Sequence, residues 1–202
     1  MKDEWPRDPS DSSDPSHLLD QSDQPDPTDV VTRRITPGDP AIMSAGFSGI
    51  GVGKPVELFE RYLRAQTEGR RDVLVAFVAD VFAGYVTVNW DPRYAPLVEA
   101  GIPEVQDLNV LPPFRRRGIA TRLMDAAEEI VRRRSDSVGI AVGLHSGYNA
   151  AQRLYVLRGY VPDGNGVTSR YEPVLDRQTV VMDDDVVLHL VKRLGWKKVE
   201  EL

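Results

Sequence analysis

Three arginines and a glycine in a row, Arg115-Arg116-Arg117-Gly118, are the residues of this chain best suited to holding an anion. Each guanidinium presents a rigid fork of N–H donors that matches phosphate oxygens. The residues on either side explain how such a turn would be presented. Val105 to Leu111 alternates as a short strand. From Ile119 onward the apolar residues Ile119, Leu123, Ala127, Ile130 and Val131 recur at helical spacing. The order is therefore strand, basic turn, helix. A helix start leaves backbone N–H groups outside the helical ladder and carries the positive end of the dipole, so Ile119, Ala120 and Thr121 add amide donors to the arginines. Gly118 lets a phosphate approach the backbone with no Cβ in the way.

The elements around this turn read as one α/β domain. Val30 to Ile35 is a first strand, and Thr36 to Pro40 a turn with Pro40 in the first turn of a helix. Gly46 to Gly53 is rich in glycine and precedes Lys54, but a phosphate loop needs Gly at Ser48 and Ser or Thr at Pro55. It is read as a loop between two short helices. Pro55 to Gln66 is the second of these, with Phe59, Tyr62 and Leu63 facing inward. Val73 to Ala79 is almost wholly apolar, as in a strand covered on both faces. Asp80 turns the chain into Phe82 to Trp90, where Tyr85, Thr87 and Asn89 alternate with Val86 and Val88. Asp91 to Pro103 is long for a connection and is expected to border a substrate pocket. Ser137 to Leu144 is a strand with Gly139, Ala141 and Gly143 on one face, small enough to admit another backbone or a thin ligand. Pro162 to Gly166 reads as a loop. Val180 to Met182 and Val186 to Val191 read as late strands, separated by Asp183-Asp184-Asp185, a solvated turn rather than a metal site.

Composition narrows the function classes. The 202 residues hold no cysteine, which excludes disulfides, thiolate zinc sites and a cysteine nucleophile, and no apolar run is long enough for a membrane helix. The N-terminus lacks the apolar core of a secretory signal, so the expected location is cytoplasmic with no membrane partner. Of 25 bases and 31 acids, residues 1–29 hold two and nine, net −7; the remaining 23 and 22 leave net +1. A near-neutral folded part argues against nucleic acid as a partner. Residues 1–28, rich in Asp, Ser and Pro, are expected to form a disordered acidic tail. Residues 29–195 make the domain and 196–202 a polar tail.

A second segment closes the reading. Asn149-Ala150-Ala151-Gln152-Arg153-Leu154-Tyr155-Val156-Leu157-Arg158-Gly159-Tyr160 scans as a short helix stopped by Gly159. It resembles the later motif of the GNAT superfamily of N-acetyltransferases, and Arg115-x-x-Gly118-x-Ala120 resembles that family's Q/R-x-x-G-x-G/A signature. The resemblance implies a twisted, mostly antiparallel mixed sheet of six or seven strands flanked by helices. Its fourth and fifth strands, here 104–111 and 137–144, would run parallel and splay apart to admit acetyl-CoA. It further implies that Arg115, Arg116, Arg117, Gly118, Ile119, Ala120 and Thr121 hold the pyrophosphate. The backbone at Val110 and Leu111 would polarise the carbonyl, and Asn149 and Gln152 would lie along the pantetheine arm.

Tyr155 would then be the general acid, since a phenol pKa of about 10 lies close to that of a thiol. Glu104, eleven residues before Arg115 as in histone-acetylating relatives, or Asp107, nearer the thioester end, would be the base, directly or through water. His145 is a third candidate; His17 and His189 receive no role. The implied activity is acetyl transfer to a primary amine, in a small molecule before a protein, by direct attack in a ternary complex, with no metal. The carboxylates suit a cationic acceptor, and relatives often form homodimers. The competing reading is a non-catalytic acyl-CoA-binding sensor or scaffold; a nucleic-acid-binding domain using Arg115–Arg117 and Arg132–Arg134 is weaker still.

Overall fold

The computed structural model describes residues 30–195, so the expected acidic and polar tails lie outside the described residues. The sheet starts from chain-local pairing. β1 (Val30–Arg34) lies antiparallel to β2 (Arg71–Val78), which forms a hairpin with β3 (Val81–Asn89). Ala79 and Asp80, at the turn, both have positive φ, 46° and 64°, the handedness that two-residue hairpins favour. β4 (Glu104–Val110) pairs antiparallel with β3 and parallel with β5 (Ser137–Gly143). β6 (Val161–Ser169), β7 (Glu172–Pro173) and β8 (Val186–Arg193) complete eight strands in the order β1-β2-β3-β4-β5-β8-β6-β7. The strand beyond the expected six or seven is the two-residue β7 at the edge.

The near-continuous apolar run of β2 is explained by cover on both faces. Leu74, Ala76 and Val78 face a core built with α4 (Ile119–Arg132), while Val73, Val75 and Phe77 face one built with α1 (Asp39–Ser48) and α2 (Val56–Thr67). α4 buries Ile119, Leu123, Ala127 and Val131 of the expected stripe, with Ile130 half-buried beside them and Met124 buried in addition. Glu128 is buried on the same helix. It accepts from Arg158 at 2.9 Å and Lys192 at 2.7 Å. Burial pushes its pKa up, but these two cations outweigh burial and hold it below the usual range. Thr87 and Asn89, alternating polar residues of β3, are buried as well.

Four local expectations are corrected. α1 runs on through Gly46 to Ser48, so the loop is only 49–55; glycine at 46 lets helix and sheet touch, since a Cβ there would sit 2.8 Å from the Phe82 ring. The stretch 91–103 contains α3 (Ala95–Ala100), anchored by buried Tyr94 and Leu97. The stretch 162–166 is part of β6, whose register against β8 shifts between Pro162 and Val167 as a bulge. Val180–Met182 forms no strand; Val181 is 80% exposed, so no apolar contact holds it extended.

One irregularity shapes the centre. Opposite Thr87 lies Gln106 and opposite Tyr85 lies Asn109, so β4 carries an extra residue there. Asp107 takes it up with φ 54°. A bulged strand bends. β4 and β5 are paired only at Glu104–Gly139 and Val105–Ile140, and beyond those residues they separate.

Candidate active site

The gap between β4 and β5 opens into a cavity of about 1110 Å³. At one end lies the basic turn. Gly118 has φ 75°, which favours glycine, and no atom stands within 4 Å of where its Cβ would be. No side chain caps α4, and its first helical bond is Arg122 N–H to Gly118 O, so the amides of Ile119, Ala120 and Thr121 precede the ladder. All three residues line the cavity, as do Arg115 and Arg116. Arg115 is braced by Nε donating to Val110 O at 3.1 Å. Arg117 lies 5.8 Å over the Phe114 ring instead and does not line the cavity. Amides, dipole and two guanidinium groups at one place are suited to seat an anion.

Along the β4 wall, Leu111 N–H bonds Ala83 O at 2.9 Å. Successive residues of a strand turn their N–H groups to opposite sides. Val110 N–H therefore faces the gap that β5 has left. Val110 lines the cavity, whereas Leu111 is buried in the core on the α1–α2 side.

The opposite wall comes from α5 (Asn149–Leu157), stopped by Gly159 with φ 84°. Ala150, Ala151, Leu154 and Tyr155 line the cavity. Asn149 is exposed and outside it; Gln152 is turned away, its Nε2 donating to Gly143 O at 2.8 Å and tying α5 to the end of β5. The expected pantetheine contacts of these two side chains are therefore not part of the cavity wall. The small face of β5 serves other side chains first. A Cβ at Gly139 would lie 2.6 Å from Leu97, and one at Gly143 2.4 Å from the Tyr148 ring. Tyr155 is buried, and burial, then neighbouring Tyr148, push its phenol up from the ordinary value.

Both sequence-derived carboxylates line the cavity, in different states. Asp107 is engaged on both oxygens: Tyr62 OH donates to Oδ2, and Lys54 Nζ stands 3.8 Å from Oδ1. Glu104 is buried, accepts from Gln106 Nε2 at 2.6 Å, and is pushed up to about 7 by burial, against the pull of Gln106 and Arg71. His145 also lines the cavity: its Nδ1 accepts from Gly147 N–H, so Nε2 donates to Asp184 at 2.9 Å. Asp184 accepts from Tyr148 OH too, at 3.1 Å. The triple-aspartate turn thus closes onto the cavity. Among the described residues no group of three His, Cys, Asp or Glu is arranged to hold a metal ion.

Several wall residues had no readable signal. Lys54, Tyr148, Arg170, Tyr171 and His189 line the cavity. Only the histidine amid the apolar Val186–Val191 run was out of pattern. The stretch 91–103, expected at a substrate pocket, contributes nothing to the cavity wall; Tyr94 and Leu97 act from behind it. No helix among the described residues is long and apolar enough to cross a membrane.

A model of the acetyltransferase (GNAT) family matches residues 45–160, more than half of the chain and both sequence motifs. Solved structures share the fold. A ribosomal-protein-alanine N-acetyltransferase from Brucella melitensis superposes with TM-score 0.61 at 17% identity, over 81% of this chain and 99% of that one. The yncA protein of Salmonella typhimurium, solved with its cofactor acetyl-CoA, gives 0.61 at 13%, over 85% and 98%. A spermidine/spermine N-acetyltransferase from Vibrio cholerae gives 0.56 at 16%, over 83% and 94%. No curated protein sequence matches the chain.

Proposed function

Since this chain belongs to the GNAT family of acetyltransferases, we propose that it moves an acetyl group from acetyl-CoA to a primary amine of a small, cationic molecule, by direct attack in a ternary complex. One observation carries the reading: a single cavity joins the amide-lined turn at Gly118 to a buried carboxylate, Glu104, whose pKa lies near neutrality. The cavity suits the donor. It offers two guanidinium groups and three helix-start amides for a diphosphate, and a narrow gap between strands for an extended arm. Acetyl-CoA, when bound, supplies a thioester carbonyl open to attack by an uncharged amine.

The residues divide the remaining work. Arg115, Arg116 and the amides of Ile119 to Thr121 hold the donor, so that reaction becomes effectively intramolecular. The Val110 N–H faces the gap and is the donor for a carbonyl oxygen becoming anionic. Glu104 takes the proton of the incoming ammonium and leaves a neutral amine; a base with a pKa near 7 is ionised at working pH yet still basic. Asp107, already engaged by Tyr62 and Lys54, is the poorer base. Tyr155, kept protonated by burial, donates to the departing sulfur. Glu104 and the aspartates of the 183–185 turn favour a cationic acceptor.

Calorimetry with acetyl-CoA and an amine panel read by free-thiol release test this together. Binding followed by acceptor-stimulated thiol release supports transfer. Binding with only slow, acceptor-independent thiol release would indicate a sensor or scaffold. Tyr155→Phe should lower kcat by at least about tenfold, since the departing thiolate then has no proton donor, with acetyl-CoA affinity unchanged. Equal kcat would remove Tyr155 from the mechanism.

A further inference from the structure

Among the described residues, one buried side-chain nitrogen has no hydrogen-bond partner: Nδ1 of His189. The ring around it is held firmly. It stacks on Tyr94 with centroids 3.6 Å apart and planes within 5°, and Tyr94 is itself anchored by its hydroxyl to Asp163 at 2.9 Å. Nε2 lies 3.2 Å from Thr168 Oγ1. This leaves Nδ1 directed at Glu104 Oε1, 3.9 Å away and too far for a hydrogen bond. The other Glu104 oxygen is committed to Gln106 Nε2, and that amide's orientation is set by Arg71, which donates to Gln106 Oε1 at 2.9 Å. Oε1 is therefore the oxygen open to a proton, and it faces the unpartnered ring nitrogen.

We propose that His189 is a positioning residue for the base: when Glu104 takes up a proton, its Oε1–H turns onto His189 Nδ1, and the imidazole keeps its own proton on Nε2 against Thr168. The gap closes by about 1 Å, within reach of a side-chain rotation. The proton leaves the acceptor ammonium, Glu104 becomes a carboxylic acid, the amine is left neutral, and no bond of His189 breaks. Burial holds the imidazole pKa down at about 4, against the opposing pull of Asp163, so the ring is an uncharged acceptor at working pH. The charged and titratable groups facing the pair are Arg71 of β2, which favours ionised Glu104, Asp163 of β6, and Tyr171 of the β6–β7 turn. An acceptor at Nδ1 stabilises the protonated carboxyl alone, and so adds to its basicity. The catalytic meaning rests on the acetyl-transfer reading; the hydrogen bond does not.

The chain has three histidines, so nitrogen-15 histidine spectra of the full protein are assignable by substitution. Between about pH 5.5 and 8.5, His189 Nδ1 should stay unprotonated and shift with a single midpoint near that of Glu104. In Glu104→Gln, whose amide donates at every pH, the shift should vanish. A proton on Nδ1 above neutrality, or a resonance unmoved through that range in the unmutated protein, overturns the proposal. Kinetics give the second readout. His189→Leu should move the acid limb of the kcat profile down by about one pH unit and lower kcat by about tenfold, at unchanged acetyl-CoA affinity. His189→Asn, with an amide oxygen near the Nδ1 position, should restore both. An unmoved limb in the leucine variant refutes the positioning role. Failure of the unmutated protein to bind acetyl-CoA would instead sink the transferase reading, with the spectra still deciding His189.

Discussion

Replacing Glu104 by glutamine should make the protein more stable while abolishing its turnover, and the gain should appear only as pH rises. The carboxyl is buried and its pKa is pushed up from 4.5 to about 7, chiefly by burial. The sign follows from linkage. A group whose folded pKa exceeds its unfolded value contributes stability that is fully present below the unfolded pKa and lost as pH rises through the folded one. Between those limits the shift corresponds to about 3 kcal/mol. Below about pH 5 most of that cost is absent; by about pH 8 it is nearly complete. Glutamine has nearly the same shape and no charge to bury. Its carbonyl can still accept from Gln106, and its NH₂ can face His189 Nδ1. Urea unfolding at the two pH values should therefore show the variant within about 1 kcal/mol of the parent at the lower and about 2–3 kcal/mol more stable at the higher. In a chain of this size that gain corresponds to about 5–10 °C in Tm. Acetyl transfer should fall by about 100-fold or more with the base removed. A variant no more stable than the parent at the higher pH, or a gap equal at both, would refute the reasoning, because Glu104 would then not be carrying an unfavourable charge.

Three further outcomes are expected. Gly118→Ala should lose about 1–2 kcal/mol of stability from an alanine held at positive φ, and should weaken acetyl-CoA binding in calorimetry because the new Cβ stands at the cradle. Arg115→Ala with Arg116→Ala should weaken acetyl-CoA binding in a salt-dependent way, by about 1–3 kcal/mol; acetyl-pantetheine, which lacks the diphosphate, should bind parent and variant alike. Glu128→Gln should destabilise the fold by about 3 kcal/mol or more, since Arg158 and Lys192 would be left around an uncharged group. In the parent the Glu128 contribution is present above the unfolded carboxyl pKa and lost as pH falls through the depressed folded value, which acid unfolding of the two proteins would reveal.

Local chemistry made much of the fold readable. The α4 stripe, the Gly159 stop, the covered run of β2 and the turn at Asp80 each depend on neighbours a few residues away, and each stands where the spacing put it. The errors share a cause. Gly46 and Leu97 lie on helices and meet their partners, Phe82 and Gly139, on strands remote in sequence, and the β6 bulge is set by β8, so no window of sequence contains the deciding contact. The motif places Asn149 and Gln152 on α5, but a helix of this length turns only part of its surface to the gap, and those two side chains lie off that part.

What the sequence determined by itself is the basic, amide-lined end of the cavity. A glycine at positive φ, helix-start amides and consecutive arginines are properties of one short segment, and they suit an anion wherever that segment is placed. What only the tertiary structure decided is the carboxylate end. Glu104 meets His189 because β5 alone separates β4 from β8 in the sheet, and Asp107 meets Tyr62 and Lys54 because its bulge turns it toward α2 and the loop before it. The ionisation of a carboxylate depends on what surrounds it once water is excluded. Glu104 and Asp107 look alike in the sequence, and their burial and partners alone raise the pKa of one and leave the other engaged.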